Sequence, residues 1–192
     1  MSDGKTLVFF DIPSKIGAWS PNTWKTRYSL NYKGIPYKTV WVESPDIAKT
    51  LKDLVIAAYM TQPDVPKGTE VLQKAHINAM KASLNERSEY FRRTKEEMEG
   101  QTMEEMYPKG EKWKEEWKKL EKGFGQVDKW CGKEDVLVMG GKEKACFADF
   151  AFVGYVIWIR ILFGKESEKW KDVSGWQDGR WGRMIQTLEQ YK

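Results

Sequence analysis

The sequence predicts an α/β unit followed by an all-α unit, and three stretches carry that prediction. Thr6 to Glu43 reads as strand, helix, strand. Cys146 to Leu162, CFADFAFVGYVIWIRIL, has almost no polar face yet is too short to cross a bilayer, so it is a buried helix with others packed round it. Trp113, Trp117, Leu120, Phe124 and Val127 are spaced by four, three, four and three residues, the seam of an amphipathic helix.

Each element has a local reason. Thr6-Leu7-Val8-Phe9-Phe10 is a short apolar run closed by Asp11 and Pro13, as a buried strand reads. Ser20-Pro21 marks a helix start, with serine at the N-cap and proline where its missing N–H costs nothing. That helix runs to about Tyr32, and Gly34 and Pro36 end it. Tyr37 to Glu43, rich in β-branched and aromatic residues, is the second strand, which completes a βαβ unit with a right-handed crossover. Ile47 to Tyr59 reads as one helix, and Thr61 to Gly68 as a boundary loop. Thr69 to about Glu99 is a long helical stretch, Gln101 to Lys109 an exposed loop. The central helix starts at Cys146-Phe147-Ala148-Asp149, where the carboxylate reaches back to unpaired backbone N–H groups, and it ends near Gly164. Arg180 to Gln190 reads as a last short helix.

Composition narrows the function. In 192 residues, 41% hydrophobic content supplies a core without staples. Two cysteines, Cys131 and Cys146, are too few for a disulfide framework, so a reducing, cytoplasmic location is expected. Thr6 to Phe10 is too short for an export or membrane segment. The net charge of +4 comes from 32 basic and 28 acidic residues, interleaved through residues 92–122 as on a solvated helical surface, so nucleic acid is not the expected partner. His76 is the sole histidine and lies beside no serine cluster, no Cys-x-x-Cys or histidine pair offers a metal site, and Gly123 and Gly125 lack the strand a dinucleotide fingerprint needs.

Ser20 is the candidate that remains. At the N-terminus of the first helix, free N–H groups and the positive end of the dipole favour an anion, and a hydroxyl there can donate to a thiolate and lower its pKa. Helix capping is the other role the position allows.

The run Ala18-Trp19-Ser20-Pro21-Asn22-Thr23-Trp24-Lys25-Thr26-Arg27-Tyr28, followed by Asn31-Tyr32-Lys33-Gly34 and Pro36 to Glu43, resembles the opening of fungal glutathione transferases of the etherase-related, serine type. Cys146-Phe147-Ala148-Asp149-Phe150 sits where that superfamily has its helix-capping Ser-x-x-Asp motif, and Glu168 to Val173 and Gly179 to Gly182 are similar to the same proteins' C-terminal end. The likeness is specific for the family and uninformative about the substrate. It implies a shortened thioredoxin-like domain over residues 1–60 and an all-helical C-terminal domain over 67–192. It also implies glutathione as cosubstrate with no metal, a small hydrophobic or aromatic electrophile in a site between the halves, and a homodimer serving detoxification or secondary metabolism. Ser20 takes the catalytic serine's place, and Asn22, Trp24 and Ser44 are the implied glutathione-binding positions.

One piece of the family pattern is missing. After its first βαβ, the family carries a cis-proline loop, two antiparallel strands and an acidic-Ser pair that holds the γ-glutamyl end of glutathione. Here Pro45-Asp46 passes almost at once into Ile47-Ala48-Lys49-Thr50-Leu51. Val65-Pro66 has the letters of the cis-proline but leads into a helical stretch, and Ser44 in Glu43-Ser44-Pro45-Asp46 is the one candidate for the acidic-Ser pair. The consequence is a two-stranded parallel sheet with an unpaired edge, marginal unless a helix or a partner covers it. Three functions follow: a glutathione transferase, a glutathione-independent ligand-binding protein, and a cyclase or isomerase reusing the helical-domain pocket.

Overall fold

The computed structural model describes residues 6–51, 88–133, 135–141 and 144–192. Strand β1 (Leu7–Asp11) pairs in parallel with β2 (Tyr37–Trp41), in register from Leu7 opposite Tyr37 to Asp11 opposite Trp41. The Val42 amide extends the ladder by donating to the Asp11 carbonyl at 2.8 Å. Among the described residues the sheet has these two strands, as expected. Helix α1 (Pro21–Tyr32) connects them. Gly34, at φ +61°, ends it in the left-handed conformation that glycine adopts without strain, and the Ile35 amide returns to the Leu30 carbonyl at 3.0 Å.

Beyond β2 a 3₁₀ turn, Ser44–Asp46, leads into α2 (Ile47–Leu51). The rest of the helix expected to Tyr59, the loop Thr61 to Gly68, Val65-Pro66, His76 and the first part of the long helical stretch lie outside the described residues. Its last part is α3 (Ser88–Glu99), which packs on the 3₁₀ turn. The stretch Gln101 to Lys109 is not simply an exposed loop: α4 (Met103–Met106) forms within it and buries both methionines. A capping box fixes its start, with Thr102 Oγ1 accepting from the Glu105 amide at 3.3 Å and Glu105 Oε2 accepting from the Thr102 amide at 2.8 Å.

Helix α5 (Gly110–Asp128) buries Trp117, Leu120 and Phe124 of its seam. Helix α6 (Phe147–Phe163) is the central helix, with Val153, Val156 and Ile159 wholly enclosed. It packs on α1 on one side and on α7 (Glu168–Leu188) on the other. The acidic half of its capping signal is realised: one Asp149 oxygen accepts from the Cys146 amide and the other from the Val138 amide, both at 2.8 Å. Phe124, Phe152 and Trp181 meet with ring centroids 4.8 to 5.3 Å apart, so α5, α6 and α7 share one aromatic interior.

Helix α7 is broken at Trp176–Gly179, so the short helix expected from Arg180 is its second half. Gln177 and Asp178 sit at φ +47° and +55°, an unfavourable conformation for residues with side chains. Arg180, buried, explains why the break holds. Its guanidinium bonds the Asp128 carboxylate and the backbone carbonyls of Gly132, Lys133 and Asp135, tying α7 to the loop after α5.

Candidate functional site

Ser20 occupies the N-cap of α1 with extended backbone, φ −69° and ψ 129°, and is 7% exposed. Its carbonyl accepts from the Trp24 amide and the Thr23 hydroxyl, both at 3.1 Å, so the backbone performs the cap. Its side chain makes no capping hydrogen bond, and the first turn holds no acidic residue to offset the positive end of the helix. The hydroxyl is therefore not engaged in the capping role that the sequence alone allowed. Chemically, the position offers a hydroxyl donor not spent on the cap, beside a favourable field for an anion.

The neighbouring candidates divide by direction. Asn22 is exposed, and its side-chain oxygen accepts from the Lys25 ammonium at 3.4 Å. Trp24 turns inward, its indole 5.8 Å from the Tyr28 ring and its N–H buried with no partner among the described residues. Ser44 opens the 3₁₀ turn after β2, half-buried and followed by Pro45. Because the two strands are parallel, the chain leaves β1 towards Ser20 and β2 towards Ser44 at the same carboxyl edge of the sheet, where open α/β sheets hold their ligands. Topology thus brings Ser20 and Ser44 to one edge, while Asn22 and Trp24 face opposite ways from a single turn of α1.

Two features of the site were not singled out from the sequence. The first is an ion pair: Arg27 donates to the Asp11 carboxylate at 2.7 Å, with side-chain exposures of 15% and 0%. The Arg27 guanidinium also donates to the Tyr37 hydroxyl at 3.2 Å and lies 5.2 to 5.9 Å from the ring centres of Phe9, Trp24, Tyr37 and Trp41. The other Asp11 oxygen accepts from the Ile12 amide at 2.8 Å, so this pair roots both α1 and the loop leading to Ser20. An Asp closing an apolar strand, with an Arg on the next helix, was the available signal. The second is Gly154 of α6, on which α1 rests. Tyr28 stacks on Phe150 at 6.1 Å and Tyr32 lies 5.3 Å from it, whereas Pro21 and Trp24 meet Gly154. The helices run antiparallel, which directs Ser20 towards the C-terminal half of α6.

A cleft of about 450 Å³ lies elsewhere, lined by Asp135, Leu137, Gly140, Gln186 and Thr187 among others. It flanks the N-terminal end of α6 and takes in none of the expected site residues. Burial pushes the Tyr28 phenol far above its ordinary range, with Glu189 adding to the shift and Arg160 opposing it. Burial likewise raises the Cys131 thiol and the Tyr155 phenol. Among the described residues no cluster of three or more His, Cys, Asp or Glu could hold a metal ion, and no helix is long and apolar enough to cross a membrane.

The family model for the glutathione S-transferase C-terminal domain matches residues 65–191. A glutathione S-transferase of Ceriporiopsis subvermispora, solved in complex with glutathione, is 35% identical and superposes with a TM-score of 0.80 over 98% of each chain. Glutathione transferase GSTFuA3 of Phanerochaete chrysosporium is 29% identical, with a TM-score of 0.79 over 98% of each chain. The glutathione S-transferase-like protein ustS of Aspergillus flavus is 46% identical over 54 residues, 26% of this chain and 20% of that protein. The matched stretch therefore spans about a fifth of the length of that curated relative.

Proposed function

The chain belongs to the glutathione S-transferase family, alongside its fungal members, and on that premise we propose that it uses glutathione to conjugate or cleave small hydrophobic or aromatic electrophiles, with Ser20 activating the thiol. The observation that carries this is the Ser20 hydroxyl, buried at the N-terminus of α1 and not engaged in capping. The glutathione named with the Ceriporiopsis neighbour supports the choice of cosubstrate.

The chemistry asks little of the chain. Glutathione's thiol proton leaves to solvent; Ser20 keeps its own proton and donates it as a hydrogen bond to the sulfur. The thiolate then attacks an electrophilic carbon, forming a C–S bond as the leaving group departs with its electron pair. A hydrogen bond to a charged acceptor is worth about 1.5–3 kcal/mol, and the helix N-terminus adds about 0.3–1 kcal/mol. Together these bring a thiol from about 8.5 to roughly 6–7, which makes the thiolate a major species at neutral pH. In this proposal Asn22, exposed, and Ser44, half-buried, are the polar groups that hold glutathione, and Trp24 is the wall behind Ser20. Residues 1–60 form the glutathione-binding unit and 67–192 the helical unit, the electrophile binds between them, and the protein works as a cytoplasmic homodimer in detoxification or secondary metabolism.

One observation favours a second reading, a ligand-binding protein or a cyclase or isomerase independent of glutathione. The chain passes from the end of β2 at Trp41 to α2 at Ile47 through a single 3₁₀ turn, which leaves no room there for the strands and loop that the resemblance leads one to expect. Isothermal calorimetry with glutathione separates the two. Binding in the micromolar to millimolar range, about −8 to −4 kcal/mol, supports the transferase; no heat at millimolar glutathione at two temperatures supports the alternative.

A further inference from the structure

We propose that a two-sided grip on α1, with Gly154 beneath its first turn and the Arg27–Asp11 pair at the sheet, sets the position of the Ser20 hydroxyl, and that both are positioning residues for the thiol step; this rests on the Ser20 reading above. Gly154 lies inside the central helix, where glycine is the least favourable residue after proline, so its presence calls for a packing reason. A Cβ there would stand 2.8 Å from the Pro21 carbonyl oxygen, 3.4 Å from the Trp24 Cβ and 3.6 Å from the Lys25 amide nitrogen. The nearest of these atoms is backbone, which no rotamer change can move aside. Pro21 follows Ser20 directly, so any retreat of α1 from α6 displaces the hydroxyl.

On the other side, Arg27 joins α1 to the last residue of β1 through a carboxylate with no exposure, and that carboxylate also fixes the Ile12 amide. The two contacts act on different faces of α1: one sets how closely the helix approaches α6, the other how it sits on the sheet. Gly123 provides the control, since it too lies within a helix but a Cβ there would meet nothing within 4 Å.

The test compares Gly154→Ala, Arg27→Lys, Gly123→Ala and Ser20→Ala with the parent chain. It reads kcat and KM for conjugation of 1-chloro-2,4-dinitrobenzene across pH, together with the thiolate absorption of bound glutathione. Moving a reacting group by a fraction of an ångström lowers kcat by roughly ten- to a hundredfold with a smaller change in glutathione KM. Gly154→Ala is expected to behave so, with the acidic limb of the pH profile moved upward and the thiolate absorption reduced at neutral pH, while Gly123→Ala matches the parent. A pH limb and thiolate absorption unchanged in Gly154→Ala would overturn the inference, because a purely structural glycine alters stability without altering either. If Gly154→Ala does not fold, Arg27→Lys decides: it keeps the charge but loses the planar fork, and an unmoved limb there overturns the inference equally. Ser20→Ala with full turnover overturns the underlying reading instead, so the two failures are distinguishable.

Discussion

Replacing Arg27 with methionine strands a carboxylate. The Asp11 side chain is fully enclosed, and after the substitution its remaining partner among the described residues is the Ile12 amide. Removing one member of a buried pair typically costs about 3–5 kcal/mol, because the remaining charge is left without compensation. Arg27 is 15% exposed, which admits some screening and puts the expected loss near the lower end, about 3 kcal/mol. The lost bond to the Tyr37 hydroxyl and the lost faces of four rings act in the same direction. For a chain of this size each kcal/mol moves the melting temperature by about 2–4 °C, so a fall of roughly 6–12 °C is expected. Adding Asp11→Asn removes the stranded charge and should restore about half of the loss, giving a favourable coupling between the two sites in a double-mutant cycle. Urea unfolding followed by tryptophan fluorescence provides the assay, since Trp24 lies beside the pair. A single Arg27→Met variant within about 0.5 kcal/mol of the parent, the range of an ordinary surface change, would show that the pair does not anchor α1.

Four further outcomes, at three residues, follow from the packing. Tyr28 is fully enclosed and its hydroxyl has no partner among the described residues, so Tyr28→Phe should leave stability at pH 7 unchanged or raise it by about 1 kcal/mol, and a loss of more than 1 kcal/mol by urea unfolding would mean the hydroxyl is bonded. The folded-state pKa of Tyr28 is raised above its unfolded value, so its contribution is complete below about pH 10 and is lost as pH climbs towards the folded value; Tyr28→Phe should flatten the decline in stability above pH 10, and an identical slope contradicts this. Asp149→Ala leaves the Cys146 and Val138 amides unpaired at a partly buried helix start and should cost about 2–4 kcal/mol, with Asp149→Asn intermediate; a cost below 1 kcal/mol would be inconsistent with those two hydrogen bonds. Burial raises the Cys131 thiol, so alkylation near pH 8 should label Cys131 only after denaturant is added, and rapid native labelling seen by mass spectrometry would argue against its burial.

What was legible in the sequence was local. Ser20-Pro21 and Gly34 placed both ends of α1 because capping and left-handed backbone are decided within a few residues. The apolar circumference of Cys146 to Leu162 identified the central helix for a similar reason: a helix without a polar face has to be surrounded. The short helix at Met103 was missed although Thr102-x-x-Glu105 spells its capping box, since four residues give no periodicity to read. The break in α7 was illegible because Gln177 and Asp178 adopt their conformation only where Arg180 holds the loop after α5. The same limit applies to the site. Ser20 could be found from its place before a helix, but the Arg27–Asp11 pair and the contact under Gly154 exist only once strand, helix and central helix are packed together.

The most direct measurement is the ultraviolet absorption of glutathione's thiolate, followed against pH in the parent chain and in Ser20→Ala, each saturated with glutathione. A bound thiol titrating roughly 1.5–2.5 units below the free value of about 8.5 in the parent, and near the free value in Ser20→Ala, is the predicted result. A thiol that titrates identically in both proteins, or no bound glutathione in either, would contradict the assignment of Ser20 as the activating residue.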